Sequence, residues 1–139
     1  MHSDQELNYL TKSLQHHPSP YIIYELDGSI AWANIAAKYI FNLNSLNELS
    51  VVKIDEKITN NFGDLDSIAL YYDTPIEISL REINFFMRTR VHMIPVDISN
   101  GIMLIELLCS SRSGLDALRK TIDCIEHQRI ELAYQKQVN

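Results

Sequence analysis

The chain has 139 residues, of which 46% are hydrophobic and 22% are charged, a balance that predicts one globular domain. Lys and Arg number 12 against 18 Asp and Glu, and the net charge of −6 argues against a nucleic-acid-binding face. Apolar runs are too short for a transmembrane helix, and the polar, acidic N-terminus does not look like a secretory signal. Cys109 and Cys124 show no CxxC spacing and are expected to be reduced thiols. These features predict a cytoplasmic protein without nucleic-acid or membrane partners.

The first segment is expected to form an amphipathic helix over residues 3–17, which Pro18 ends. Its apolar stripe follows helical spacing and consists of Leu7, Leu10 and Leu14. His16 and His17 fall in the last turn, where the helix dipole favours positive charge. Adjacent helical residues point about 100° apart and chelate a metal ion poorly. We therefore predict no metal site here.

A β-hairpin is predicted next, with strands at 21–26 and 30–33 joined by a tight Asp-Gly turn at 27–28. Asn34 follows the second strand directly and is a favourable N-cap residue. We expect it to begin a helix that runs from residue 35 to about 42.

The middle of the chain has a weaker pattern, with two short helices predicted at 55–60 and 64–71. A period of two then predicts three antiparallel strands over 76–108. Because the sheet should bury its apolar phase, the predicted core contains Ile78, Leu80, Phe85, Met87, Val91, Met103, Ile105 and Leu107.

A long final helix is predicted over 112–138. Its apolar residues occupy heptad a and d positions, with Arg129 in one a position. This pattern is typical of a coiled coil and predicts a parallel homodimer, to which the first helix also contributes. The predicted dimer interface consists of Leu7, Leu10, Leu14, Leu115, Leu118, Ile122, Ile125 and Leu132.

The order of elements, with Asp27-Gly28-Ser-Ile30 followed by Trp32-Ala-Asn34-Ile-Ala-Ala37, resembles the PAS sensor domain over residues 7–108. A narrower resemblance is to the N-terminal sensory domains of the nitrogen-regulation histidine kinase NtrB. It is carried by the short N-terminal helix that leads directly into the fold and by the last strand, Gly101-Ile-Met-Leu-Ile-Glu106. The resemblance implies an α+β PAS fold. It would have a five-stranded antiparallel sheet with flanking helices, an N-terminal amphipathic helix at 1–18, the PAS domain at 19–109 and a C-terminal signalling, coiled-coil helix at 110–139.

The function implied by this resemblance is that of a cytoplasmic sensory and dimerisation module in a two-component protein. The module would pass a signal through its C-terminal helix towards a response-regulator pathway. The chain contains no histidine box and no ATP-binding motif. It is therefore not expected to be an enzyme, although a longer parent would be a histidine kinase. Two alternatives stay open, namely a ligand-free interaction module for homodimer or partner assembly, and a small α+β enzyme.

A small-molecule ligand is compatible with this interpretation, and its pocket is expected beside the junction of the second strand with the following helix. Trp32 and Ile30 are assigned to one strand face, so the Trp32 ring should cover the pocket. The predicted ligand-binding residues are Trp32, Asn34, Phe85 and Met87. The cofactor is unknown. Covalent flavin and haem are not expected, because residues 43–74 lack cysteine and residues 34–74 lack histidine. Non-covalent flavin or a small metabolite stays open.

A basic group on the polar phase of the sheet gives a second candidate site, formed by Arg81, Arg88, Arg90 and His92. It could bind an anionic ligand or partner. Cross-strand pairing with Glu77 and Glu82 would account for the same residues.

Overall fold

A computed structural model describes residues 2–25, 27–60, 69–95, 101–108, 116–117 and 119–127. The elements in chain order are α1 (His2–Leu14), β1 (Tyr21–Tyr24), β2 (Ile30–Ala33), α2 (Ile35–Phe41), a 3₁₀ helix (Leu46–Glu48), β3 (Leu49–Lys53), α3 (Glu56–Asn60), β4 (Ala69–Leu80), β5 (Ile83–Pro95) and β6 (Gly101–Leu107). Residues 116–117 and 119–127 are also helical and are called the C-terminal helix below. None of the described helices is long and apolar enough to cross a membrane.

The strands form one antiparallel sheet in the order β2-β1-β6-β5-β4-β3, which curls into a half-barrel. The predicted five-stranded PAS sheet is therefore wrong. The extra strand is β3, which pairs with β4 from Leu49 opposite Leu80 to Lys53 opposite Glu77. The helix predicted at 64–71 is also wrong at its end, because β4 begins at Ala69 opposite Met93. Residues 64–68 lie outside the described residues.

The curl of the sheet brings the turn between β1 and β2 against β3. Ser29 forms an isolated β-bridge with Ser50, and the Val51 N–H donates to the Gly28 carbonyl at 2.8 Å. Gly28 has a φ of +97°, and a Cβ at this position would lie 2.8 Å from the Val51 carbonyl oxygen. Only glycine suits both the backbone angle and the close approach.

A β-bulge in the first hairpin decides which way its side chains point. Ile30 lies opposite Tyr24 and Trp32 lies opposite Ile23, so Ala31 is an extra residue without a partner in the register. An extra residue reverses the inside–outside phase of a strand. Ile30 consequently packs in the main core, whereas Trp32 packs in the cluster on the opposite face of the sheet. The prediction that they share a face is wrong.

The main core fills the concave side of the sheet, beneath α2 and α3. The predicted core is confirmed, since all of its members are buried except Phe85, which is half-buried and packs against them. A second cluster lies on the other face, where α1 covers Tyr21, Ile23 and Leu104. The apolar stripe of α1 thus packs on the sheet of its own chain.

Met103 lies near the centre of β6 and is 0% exposed, so its substitution tests which face of this strand packs in the main core. We expect Met103→Ala to lower the free energy of unfolding by about 2–5 kcal/mol, since it removes a buried side chain and leaves a cavity. The half-buried neighbour Ile102 faces the other way, and Ile102→Ala is the control with a smaller expected loss. Urea titration of both variants measures the difference. Equal losses would contradict the assigned phase of β6.

Candidate functional site

The turn between β4 and β5 has an unusual backbone conformation. Leu80 pairs with Ile83, so Arg81 and Glu82 alone form the hairpin loop. Their φ values are +46° and +74°. Such turns normally carry Gly, Asn or Asp, because other residues are strained at positive φ. Contacts elsewhere must stabilise Arg81 in this conformation.

The Arg81 guanidinium supplies those contacts. It forms a bidentate pair with Glu126 of the C-terminal helix, with Nε–Oε2 and Nη2–Oε1 distances of 2.9 and 2.6 Å. Its Nη1 donates to Glu48 Oε2 at 3.2 Å, and its Nη2 donates to the Phe41 carbonyl at 2.9 Å. One side chain therefore joins the hairpin, the 3₁₀ helix, the end of α2 and the C-terminal helix. We call Arg81, Glu48 and Glu126 the Arg81 cluster.

The electrostatics of the Arg81 cluster favour the charged forms of Arg81 and Glu48. The hydrogen bonds that Arg81 donates to Glu126 raise the pKa of Arg81, and its bond to Glu48 adds to this. Backbone N–H groups of Ser45 and Asn44 hold the pKa of Glu48 below its usual value, with a further contribution from Arg81. The side chains of Arg81, Glu48 and Glu126 are only 27%, 20% and 22% exposed. Bidentate, half-buried pairs of this kind are stronger than exposed surface pairs.

The C-terminal helix makes a second set of contacts with the domain. Ile122 is 2% exposed and belongs to the main core. Arg119 lies over the Tyr39 ring at 5.1 Å from its centroid and donates to the Tyr39 carbonyl. The Tyr39 hydroxyl in turn donates to Asp116 at 3.1 Å. The helix is thus packed on α2 of the same chain.

The residues of the predicted dimer interface have different positions in the structure. Ile122 is buried in its own domain, and Ile125 is half-buried on the next turn. The α1 stripe of Leu7, Leu10 and Leu14 is half-buried against the sheet. Leu115, Leu118, Leu132 and Arg129 lie outside the described residues. The homodimer itself stays a prediction.

Asn34 is the N-cap of α2, and both polar atoms of its side chain form hydrogen bonds within the chain. Its Oδ1 accepts from the backbone N–H groups of Ala37 at 3.0 Å and of Tyr21 at 2.9 Å. Its Nδ2 donates to the carbonyls of Leu14 at 2.9 Å and of Ser19 at 2.8 Å. Asn34 is 0% exposed. It joins the end of α1 and the start of β1 to α2, and is not placed to contact a ligand.

The other predicted ligand-binding residues are not brought together. Phe85 and Met87 pack with the main core, whereas Trp32 packs in the cluster beneath α1, on the other face of the sheet. The bulge at Ala31 is the physical reason. A single pocket lined by all of these residues does not form.

The predicted basic group is divided among separate carboxylates. Arg90 pairs with Glu106 at 3.0 Å, and His92 Nε2 lies 3.6 Å from the same carboxylate. Arg88 pairs with Asp73 at 3.5 Å. Arg81 belongs to its own cluster in the β4–β5 turn. Cross-strand pairing therefore accounts for Arg88 and Arg90, although with other acidic residues than the sequence suggested, whereas the buried His92 Nε2 has no hydrogen-bond partner among the described residues.

A groove of about 470 Å³ lies where the end of α1 meets α2 and the C-terminal helix. Its lining includes His16, His17, Ile35, Tyr39 and Asp116. No group of three or more His, Cys, Asp or Glu residues suitable for a metal ion occurs within the described part of the chain. Cys124 is an exposed free thiol, and Cys109 lies outside the described residues.

Comparison with known proteins gives little guidance. No family model and no curated protein matches the sequence. A chain in the crystal structure of the E. coli DhaR(N)–DhaL complex is similar over 78% of this chain, with 11% identity and a TM-score of 0.49. The match spans 37% of that chain. A likeness of this strength supports no conclusion about function.

The Arg81 cluster is the part of the site that sequence reasoning missed. Arg81 and Glu126 are 45 residues apart, and no spacing rule relates them. The one available signal was the two-residue gap between the apolar phases of β4 and β5, filled by Arg81-Glu82 where Gly or Asn is usual. Residues that are unfavourable in such a turn indicate that one of their side chains makes stabilising contacts elsewhere in the fold.

Proposed function

We propose that the chain is a sensory and dimerisation module of a two-component signalling protein, passing its signal to an output domain through the C-terminal helix. The observation that supports this is the docking of that helix on the domain through Ile122 and the Arg81–Glu126 pair. The helix touches the hairpin turn, α2 and the main core. A change in any of these would alter its position, as signal transfer requires.

A homodimer formed through α1 and the C-terminal helix, with output through a response regulator, belongs to the same proposal. The apolar stripe of α1 is half-buried, so part of its surface stays exposed after the helix packs on the sheet. Tyr9 on the same helix is 78% exposed. These surfaces are available to a second copy.

A ligand-free interaction module is the second candidate function. It is favoured by the saturated hydrogen bonds of Asn34 and by the separation of Trp32 from Phe85 and Met87. Native mass spectrometry of the purified protein distinguishes the two. A co-purifying small molecule would favour a sensor of metabolites, and its absence together with partner-dependent activity would favour the interaction module.

The experiment that tests the proposed function joins all 139 residues in frame to the catalytic core of a histidine kinase. We expect Arg81→Gln to change autophosphorylation at least several-fold, because it removes the bidentate pair with Glu126, one of the contacts between the domain and the connecting helix. Arg88→Gln is the matched control, since Arg88 pairs with Asp73 on the exposed sheet face. The same autophosphorylation rate in wild type and both variants would contradict signal transfer through this helix.

A further inference from the structure

Ile122 is suited to two different environments. In the structure it is 2% exposed and packs in the main core of its own chain. In the sequence it stands in a heptad pattern with Leu115, Leu118, Ile125 and Leu132. A side chain buried in its own domain cannot at the same time enter the seam of a two-helix coiled coil. The two arrangements exclude each other.

We propose that the C-terminal helix exchanges between docking on its own domain and pairing with the same helix of a second copy, with the Arg81–Glu126 pair as the latch of the docked state. This inference rests on the proposed dimerisation function and states how it is controlled. The partner is a second copy because the heptad spacing is complementary to an identical helix. A helix released alone would expose Ile122 to water, which is unfavourable without a new apolar partner.

The geometry of the Arg81 cluster suits a latch that opens locally. Glu126, on the helix, accepts both hydrogen bonds of the bidentate pair from Arg81. When Glu126 leaves, Arg81 keeps its bonds to Glu48 and to the Phe41 carbonyl. The strained turn therefore stays stabilised, and the helix undocks without unfolding of the sheet.

The latch is tested with Glu126→Gln in the full chain. The substitution removes one charge of the pair and keeps the shape of the side chain. The matched control is Asp123→Asn on the same helix, because Asp123 pairs with Arg119 at 3.1 Å within the helix. A second control is Lys120→Gln, which removes a charge at an exposed position of the same helix. Circular dichroism checks that each variant remains folded.

Hydrogen exchange and sedimentation are the two measurements. At concentrations where the chain is monomeric, we expect amides of residues 119–127 to exchange about tenfold faster in Glu126→Gln, the effect of losing roughly 1.4 kcal/mol of docking energy. The dimer dissociation constant should fall by up to about a hundredfold, because the helices of both copies must undock before they pair. Both controls should stay within about twofold of wild type. In the wild type, added salt should shift both quantities in the direction of Glu126→Gln, because salt screens the partly exposed pair.

Each outcome bears on a separate part of the proposal. Unchanged exchange in Glu126→Gln, or an equal change in Asp123→Asn, would overturn the latch. Faster exchange in a protein that sediments as a monomer at every concentration would overturn the second copy as the partner. If exchange and dimerisation change as expected while the kinase fusion does not respond to Arg81→Gln, the proposed function fails and the latch stands.

Discussion

Asn34→Ala is expected to lower the free energy of unfolding by about 2–4 kcal/mol, since each buried polar group left without a partner costs about 1–3 kcal/mol. Asn34 is completely buried and bonds to backbone groups of three segments. Its loss leaves the Tyr21 and Ala37 N–H groups without their acceptor. An N-cap alone would account for about 0.5–2 kcal/mol. Denaturant titration measures the difference.

Asn47→Ala is the matched control for this prediction, because Asn47 is the same residue type on the exposed side of the 3₁₀ helix. Its effect should stay within about 0.5 kcal/mol. Asn34→Asp keeps the acceptor atom but loses the Nδ2 donor and buries a charge, so it should also be strongly destabilising. A loss below about 0.5 kcal/mol for Asn34→Ala would show that water replaces its bonds.

Gly28→Ala should be similarly destabilising, by about 2–4 kcal/mol. An L-residue is strained at positive φ, and the added Cβ would be forced too close to β3. The backbone angle at Gly28 is +97°, and the new Cβ would lie 2.8 Å from the Val51 carbonyl oxygen. That oxygen belongs to the backbone of β3 and cannot rotate away. The turn or β3 must shift, which weakens the Val51 N–H bond to Gly28. Thermal and urea unfolding both report this loss.

Ser29→Ala is the control for the turn, since Ser29 is exposed and donates its hydroxyl to Asp27 at 2.6 Å. It alters the neighbouring side chain without adding a Cβ against β3, and should cost no more than about 1 kcal/mol. If Gly28→Ala proved no worse than Ser29→Ala, the contact between the turn and β3 would not contribute to stability.

The core was predictable because β4 and β5 alternate between buried and more exposed residues along most of their length, as strands do when one face packs on the core. The errors occur where the register is irregular. Ala31 is an extra residue that reverses the phase between Ile30 and Trp32. β3 is short, shifts register between Val51 and Lys53, and lies in the part of the chain where the sequence pattern is weak. A periodic pattern carries no information about such insertions.

The helices show a different limit of sequence reasoning. Heptad spacing establishes that a helix has an apolar seam, but it does not say what covers the seam. Ile122 is covered by its own domain, and the α1 stripe by its own sheet. Asn34 was correctly predicted as an N-cap from its place before an apolar helix. Its bonds to Tyr21, Leu14 and Ser19 depend on tertiary packing and have no local signature.

The meeting of the β1–β2 turn with β3 has a consequence for the behaviour of this chain at high concentration. β3 is an outer strand of the sheet, and outer strands offer free backbone groups on which another chain can add and start aggregation. At Ser50 and Val51 these backbone groups are paired instead with Ser29 and Gly28 of the same chain. A chain that loses this contact should not only be less stable; it should also become prone to edge-to-edge association through β3.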